Sequence, residues 1–449
     1  LEMSKIIREV LPNCKIICGG VHPWHISPYE TLEYCDYICA AEGEELYSTL
    51  VDRLTKEKNS LPLRIPGLIE KYKGEVICTH VKNYMPIDDL PFPTYGDKNT
   101  YTLSAKDGDK PVFLNEDPLV NSEYGYIHVG RGCVFRCTFC INAVVSNPIA
   151  RIRSVDRVIH EIKDMLRVCK KVKGIMFNDE IFPVRQTFLP EFCEKYKKEI
   201  DLPFTVTLYP HMLSEEKISK LKSAGLKEIS MGLQSGSERI RNDIYERKDT
   251  NKRLLEEKNI LSKHQVMTYY DIIIKNPWET EDDLEKSLDL IHSFKHPYFL
   301  KFYTLAYYPK HPITNRALKE KRVDPKEVDP TIGYLEVTTP HKVALVEHYH
   351  EDSTFIVWHK RLRKKMINGS LDESYYLLMC YHGVWFMPQF ILNFLYKNFK
   401  KKNKFPLYVF SYIMESVFVV RNLKIISWPS RAILKWRQKL YLPDLNFRG

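Results

Sequence analysis

From Gly125 onward, short apolar runs alternate with longer stretches whose apolar residues recur every three or four positions. GYIHV, Gly125 to Val129, reads as a strand, and the next stretch sets Val155, Val158, Ile159, Ile162, Met165, Leu166 and Cys169 on one helical face. The pair of patterns then repeats. KGIMFND precedes a helix through Phe192 and Tyr196, and PFTVTLYP precedes a helix begun near Ser214 and closed at Gly225. KEISMGLQ precedes a helix through Leu254 and Leu255, and MTYYDIII precedes a helix opened by Thr280 with Asp283 three residues on, a capping-box spacing. FLKFYTLAYYP is a sixth strand. Six strands separated by helices predict an α/β parallel sheet curled into a partial (β/α)6 barrel, with chemistry at the C-terminal strand ends. Polar groups gather there: Asn178, Asp179 and Glu180; His211; Gln234, Ser235, Gly236 and Ser237; Lys275 and Asn276. Strand ends meet polar loops in any α/β protein, and His211 taken alone fits that simpler account.

The flanks follow other patterns. LEMSKIIREVLPNCKIICGGVHP gives the end of a helix, a buried strand from Lys15 to Cys18 and a turn at Gly19 and Gly20. DYICAAEGEE gives a second strand and an acidic turn that opens a helix to about Lys56. Residues 1–59 therefore read as the back half of a parallel, Rossmann-like α/β domain, which cannot cover both faces of its sheet alone, so the domain's front is expected upstream. Residues 60–123 are expected to be a linker with a hairpin around Lys73 and Gly74, followed by the proline-rich IDDLPFPTYG. Residues 124–312 are the barrel. In 313–449, YYLLMCYHGVWFMPQFILNFLYK and FPLYVFSYIMESVFVV are apolar but interrupted by His382, Pro388, Gln389 and Glu415. They are expected to form a helical cap burying Trp385, Phe386, Phe390 and Phe394, with a membrane-surface segment as the alternative.

Composition changes this picture little. The chain has 449 residues, 44% hydrophobic and 28% charged, which excludes a disordered or fibrous protein and allows two or three domains. Its net charge of +10 is concentrated in the last third, as in KNFKKKNK, and does not argue for nucleic acid. Eleven cysteines without a signal-like N-terminus favour a reducing, cytoplasmic setting in which thiols hold metals.

Three of those cysteines change the picture. HVGRGCVFRCTFCIN sets Cys133, Cys137 and Cys140 at CxxxCxxC spacing with Phe139 before the last. Three thiolates on one loop can hold a metal centre but cannot close a four-coordinate one, so an iron–sulfur cluster bound there would keep one iron open as a reaction site. A zinc knuckle with a distant fourth ligand, or ordinary core cysteines, are the alternatives. The spacing resembles the signature of the radical S-adenosylmethionine (SAM) superfamily. FNDEIF, MGLQSGSERI and IIKNPWETEDDL are similar to further family motifs in the same order. The resemblance implies a [4Fe-4S] cluster on Cys133, Cys137 and Cys140, with SAM on its open iron cleaved to a deoxyadenosyl radical. It implies Asp179 or Glu180 at the SAM amino group, and Gln234 with Ser235 near the ribose or carboxylate. Gln234 stands where the family has glutamate, and Asn276 and Trp278 where small residues are usual.

GGVHP and AEGEE are similar to the second half of the cobalamin-binding domain that precedes many radical SAM domains, although Ala41 replaces a glycine and the segment carrying the axial histidine is not in this sequence. Gly19, Gly20 and His22 are the cobalamin candidates the resemblance offers. The implied activity is modification of an unactivated carbon, with methyl transfer first and ring closure or rearrangement second. The implied partners are a small or lipid-like substrate and an electron donor such as flavodoxin or ferredoxin, with peripheral membrane contact at most. A zinc-stabilised binding protein without catalysis is the reading from another class.

Overall fold

The computed structural model describes residues 2–20, 27–56, 62–80, 84–104, 112–114, 117–144, 150–328, 375–376, 378–379, 382, 389–401, 406–407 and 409–410. The chain divides into two compact units: Leu1–Pro93 with Gly132–Arg151 and Ala306–Tyr334, and Thr94–Arg131 with Ile152–Leu305 and Leu335–Gly449.

The first unit opens with helix α1 (Glu2–Val10) and holds a four-stranded sheet in the order β1 (Ile17–Cys18), β2 (Tyr37–Cys39), β3 (Leu68–Tyr72), β4 (Glu75–Cys78). β1 and β2 are parallel, β3 and β4 antiparallel additions. The hairpin expected inside a linker is thus part of the sheet. Its turn does fall at Lys73 and Gly74, both with positive φ, but Leu68 and Ile69 face opposite sides of the sheet and both are buried where β3 pairs with β2. Glu70 fixes the approach to the hairpin: its carboxylate accepts from the backbone N–H groups of Leu63 (3.1 Å) and Arg64 (2.9 Å). Helix α2 (Gly43–Lys56) covers the sheet with Leu46 and Leu50 against Leu63, Ile65 and Leu68.

The second unit is a six-stranded, wholly parallel sheet whose strands lie in sequence order: β5 (Tyr124–Ile127), β6 (Gly174–Phe177), β7 (Phe204–Leu208), β8 (Leu226–Gln234), β9 (Met267–Ile274) and β10 (Tyr298–Thr304). Helices α3 (Val155–Val168), α4 (Leu189–Glu199), α5 (Glu215–Ala224), α6 (Asn251–Lys263) and α7 (Glu281–Ser293) connect β5 to β10. Ser154, Ser214 and Thr250 cap three of them, and the Thr280–Asp283 capping box of α7 forms as predicted.

Strand residues alternate faces, and one set, including Ile175, Phe177, Val206, Ile229, Met231, Leu233, Ile272, Leu300 and Phe302, is packed against the helices in a single core. Phe177, Phe182, Phe192, Tyr196 and Phe204 form its aromatic centre, with neighbouring rings 5.0–6.0 Å apart. A doubly wound sheet would bury both faces; here the second face is left to other residues, and β5 and β10 remain the two edges. This is the expected partial barrel, open rather than closed.

Of the C-terminal stretch, helix α9 (Gln389–Lys400) is described in full. Leu392, Leu395 and Phe399 enter the core of the second unit, Tyr396 stacks on His292 of α7 at 3.8 Å, and its hydroxyl donates to Asp289 (3.0 Å). Lys400 pairs with Glu285 and Asp289. α9 therefore lies along the outer helix layer. Phe390 and Phe394, expected to be buried, are 74% and 56% exposed, because the helical period that turns Leu392, Leu395 and Phe399 inward turns these two outward. Trp385 and Phe386 lie outside the described residues. Among the described residues no helix is long and apolar enough to cross a membrane.

Candidate functional site

The C-terminal strand ends of the second unit hold most of the predicted polar residues. Asp179, just past β6, is buried, and both carboxylate oxygens are engaged: Oδ2 accepts from Val129 N (3.1 Å) and Oδ1 from Gly130 N (2.7 Å). Burial pushes its carboxyl up to about 6, against the pull of those two donors. Asp179 thus fixes the backbone that leaves β5. Its exposed neighbour Glu180 is near enough to His128 to oppose the lowering that burial imposes on that imidazole.

The turn after β8 is more constrained. Gln234 ends the strand in a left-handed conformation (φ 66°) at a break in register, and its amide folds over Gly232, where an added Cβ would meet Nε2 at 2.4 Å. Ser235 is buried with its hydroxyl among Ser287 Oγ (3.3 Å), Glu279 Oε1 (3.3 Å) and the Ser237 N–H (3.2 Å), so it braces the turn against α7. Gly236 lies so close to α7 that a Cβ would stand 2.2 Å from Ser287 Cα. Ser237 donates to Asp283 Oδ1 (2.6 Å). Burial alone would raise the Asp283 carboxyl, but donors from Arg239, Ser237 and Thr280 hold it well below the usual range.

Sequence reasoning missed the cation beneath this turn. Arg241, fully buried in a π-helical turn (Ile240–Ile244), pairs with buried Asp249 and donates to Ser235 O (2.6 Å) and Asn251 Oδ1 (2.5 Å). Asn251 in turn donates to Gly236 O (3.0 Å). Arg247 donates to Gly232 O (2.8 Å) and lies over the Tyr209 ring at 4.2 Å. The signal for Arg241 in the sequence was its place beside apolar Ile240 and one turn before apolar Ile244 and Tyr245. Asn276, at the end of β9, donates to Tyr245 Oη (2.9 Å) and accepts from Trp278 N (3.0 Å). From the C-terminal stretch, Tyr376 accepts from Lys275 N (3.3 Å) and donates to Glu279 (3.1 Å). His211 follows β7 at φ 73°, and its Nε2 is buried without a hydrogen-bond partner among the described residues.

The cysteine loop lies in the first unit. Cys133 and Cys137 are buried, Cys140 is half-buried, and none of the three is in a disulfide. Cys140 N donates to Cys137 O (2.9 Å), and helix α8 (Pro312–Lys319) holds the loop: Ile313 N donates to Thr138 O (3.2 Å) and the His311 ring meets Phe139 O at 3.1 Å. Among the described residues no three His, Cys, Asp or Glu side chains are gathered closely enough for one ion, as a zinc knuckle requires. A four-iron cluster takes each thiolate on a different iron, and three cysteines outside any disulfide on one braced loop are a donor set of that kind. Cys169 and Cys193 belong to the apolar core of the other unit; Cys380 lies outside the described residues.

In the same unit as the loop, Gly20 turns the chain at φ 75° just past β1, while His22 lies outside the described residues. A cleft of about 470 Å³ opens beyond the carboxyl end of β2, lined by Glu42, Glu44, Thr49, Ile65, His80 and Tyr84 among others, and by neither Gly19 nor Gly20.

Residues 127–291, from the first barrel strand through the last barrel helix, match the Radical SAM superfamily model. They are a radical SAM domain. The chain is 25% identical over 296 residues to an uncharacterized methyltransferase of Pyrococcus horikoshii, covering 64% of this chain and 59% of that protein. It is 25% identical over 299 residues to the anaerobic magnesium-protoporphyrin IX monomethyl ester cyclase of Rubrivivax gelatinosus, covering 63% and 50%. The chain thus spans between half and three-fifths of these relatives. Among solved structures, the cobalamin-dependent SAM radical enzyme OxsB, with aqua-cobalamin and SAM bound, shares the fold over 99% of this chain and 74% of its own (TM-score 0.63, 17% identity). The radical SAM methyltransferase TsrM from Kitasatospora setae shares it over 71% and 61% (TM-score 0.56, 16% identity). The radical SAM domain accounts for the one-sided sheet and for polar residues collected at its strand ends.

Proposed function

We propose that the chain is a radical SAM enzyme of the cobalamin-linked class that transfers a methyl group to an unactivated carbon of a small molecule. The observation that carries this is the CxxxCxxC loop standing directly after the first strand of a six-stranded parallel sheet, within the stretch 127–291 that matches the radical SAM family. Cys133, Cys137 and Cys140 would hold a [4Fe-4S] cluster, which would supply the electron for reductive cleavage of the SAM sulfonium.

The chain's own residues do the positioning. Asp179 fixes the backbone entering the cysteine loop, which leaves Glu180 to accept from the SAM amino group. Gln234, held in its strained turn by the Arg241 network, offers an amide to the SAM ribose or carboxylate, while Ser235 keeps that turn on α7. Cobalamin fits the first unit in one respect: a cleft stands beyond the carboxyl end of β2, where open α/β sheets bind ligands. The relatives named as methyltransferases favour methyl transfer, and the cyclase relative keeps ring closure as the second reading. An electron donor of the flavodoxin or ferredoxin type follows from the chemistry.

Anaerobic reconstitution with iron and sulfide, followed by SAM and a strong reductant, tests the proposal. A brown protein that releases 5′-deoxyadenosine is the expected result. A colourless protein that takes up zinc and leaves SAM intact would overturn it in favour of a binding protein.

A further inference from the structure

The helix-free face of the sheet carries charges that the strand-end site does not use. Glu228 of β8, Asp271 of β9 and Lys301 of β10 all point away from the helix-packed core set. Asp271 and Lys301 are register partners on adjacent strands, which in a parallel sheet run ~4.8 Å apart. On its other side Asp271 faces Gly232, which supplies no side chain. One Asp271 oxygen is hydrogen-bonded by Tyr303; the other, Oδ1, is buried and has no partner among the described residues. Lys301 makes no ion pair or hydrogen bond among the described residues, and its ammonium stands over the Tyr269 ring at 4.8 Å.

A carboxylate and an ammonium on neighbouring strands normally pair with each other when their role is structural. Leaving a buried acceptor unsatisfied costs stability, so a face that keeps an acceptor and a cation side by side and unpaired is prepared for a ligand that supplies both complements. Tyr269 stacks on Phe299, its own register partner, with ring centroids 5.4 Å apart, giving an apolar wall beside the charges. We propose that this face binds the head group of a free α-amino acid, the ammonium on Asp271 Oδ1 and the carboxylate on the Lys301 ammonium, with the side chain along the Tyr269–Phe299 wall. The proposal rests on the radical SAM reading, which makes this face the substrate side. It narrows the substrate class to amino acids.

SAM carries the same head group, so the test must separate the two. Reconstituted protein is equilibrium-dialysed against a mixture of the standard amino acids, against the same mixture N-acetylated, against the methyl esters, and against SAM alone, with mass spectrometry of what is retained. The expected result is retention of at least one free amino acid and loss of it, by about tenfold or more per lost charge-assisted contact, in both blocked mixtures and in Asp271→Asn and Lys301→Met. Lys301→Arg should keep most of the binding, and it guards against a variant that has merely unfolded. Retention of no free amino acid, equal retention of blocked forms, or retention indifferent to both substitutions would overturn the proposal. So would a matching loss of SAM retention in the two variants, which would assign the face to SAM. Failure of the underlying radical SAM reading registers separately, as protein without iron and without SAM cleavage.

Discussion

Cys169 and Cys193 are as deeply buried as Cys133 and Cys137, yet their surroundings give them different work. Cys193 sits on the core face of α4, where burial pushes its thiol up to about 11 and keeps it protonated, and Cys169 closes α3 in the same core. Cys133, Cys137 and Cys140 share one loop braced by α8. Each single change of the loop cysteines to Ala should therefore abolish iron and sulfide binding, while Cys193→Ala retains it; iron analysis of anaerobic protein decides, and a Cys133→Ala protein with full iron would sink the ligand assignment. Arg241 is the residue whose importance the sequence hid. Removing its side chain leaves buried Asp249 with the more distant Arg247 (3.7 Å) as its cation among the described residues, so Arg241→Met should cost about 3–5 kcal/mol in urea unfolding. The double variant with Asp249→Leu should recover much of that, and two equally unstable single and double variants would mean that the pair does not act as a unit.

At the scale of elements, the strand and helix periods were legible over the whole barrel, and so were the caps at Ser214 and Thr280, because each depends on residues only a few positions apart. The turn of the β3–β4 hairpin was legible for the same reason. Its membership in the β1–β2 sheet was not, since nothing local says which edge a hairpin joins. The C-terminal helix shows the same limit. Its composition announced an amphipathic element, but α7 decided which face went inward: Tyr396 and Lys400 find Asp289 and Glu285 there, and Phe390 and Phe394 are left outside. Leu395→Ala should cost about 2–5 kcal/mol in chemical denaturation, whereas Phe394→Ala should change stability by about 0.5 kcal/mol or less. Equal losses would show that the helix presents its other face.

For the molecule as a whole, the one-sided core has a consequence for pH dependence. Glu228 and Asp271 line the helix-free face, and burial raises both carboxyls to about 6. A carboxyl raised above its unfolded value favours the folded state while protonated, so this contribution is present below about pH 4 and is lost as pH rises through 6. Asp271→Asn, which cannot ionise, should therefore melt above the unsubstituted protein at pH 8 and close to it near pH 4. A stability difference independent of pH would mean that Asp271 is not held in a dry setting. Such a cost, carried at neutral pH by a residue with an unpaired oxygen, is what a binding site tolerates and a purely structural face does not.

The sequence by itself determined the order of elements, the polar residues at the strand ends and the cysteine loop, because these follow from short-range periodicity and spacing. The tertiary structure alone decided that all the barrel helices share one face of the sheet, that Asp179 and Ser235 brace backbone, that Arg241 is buried, and that Asp271 stands beside Lys301. Those outcomes are set by the register between strands dozens of residues apart and by which groups must find partners once water is excluded, and neither is written in any local stretch of the chain.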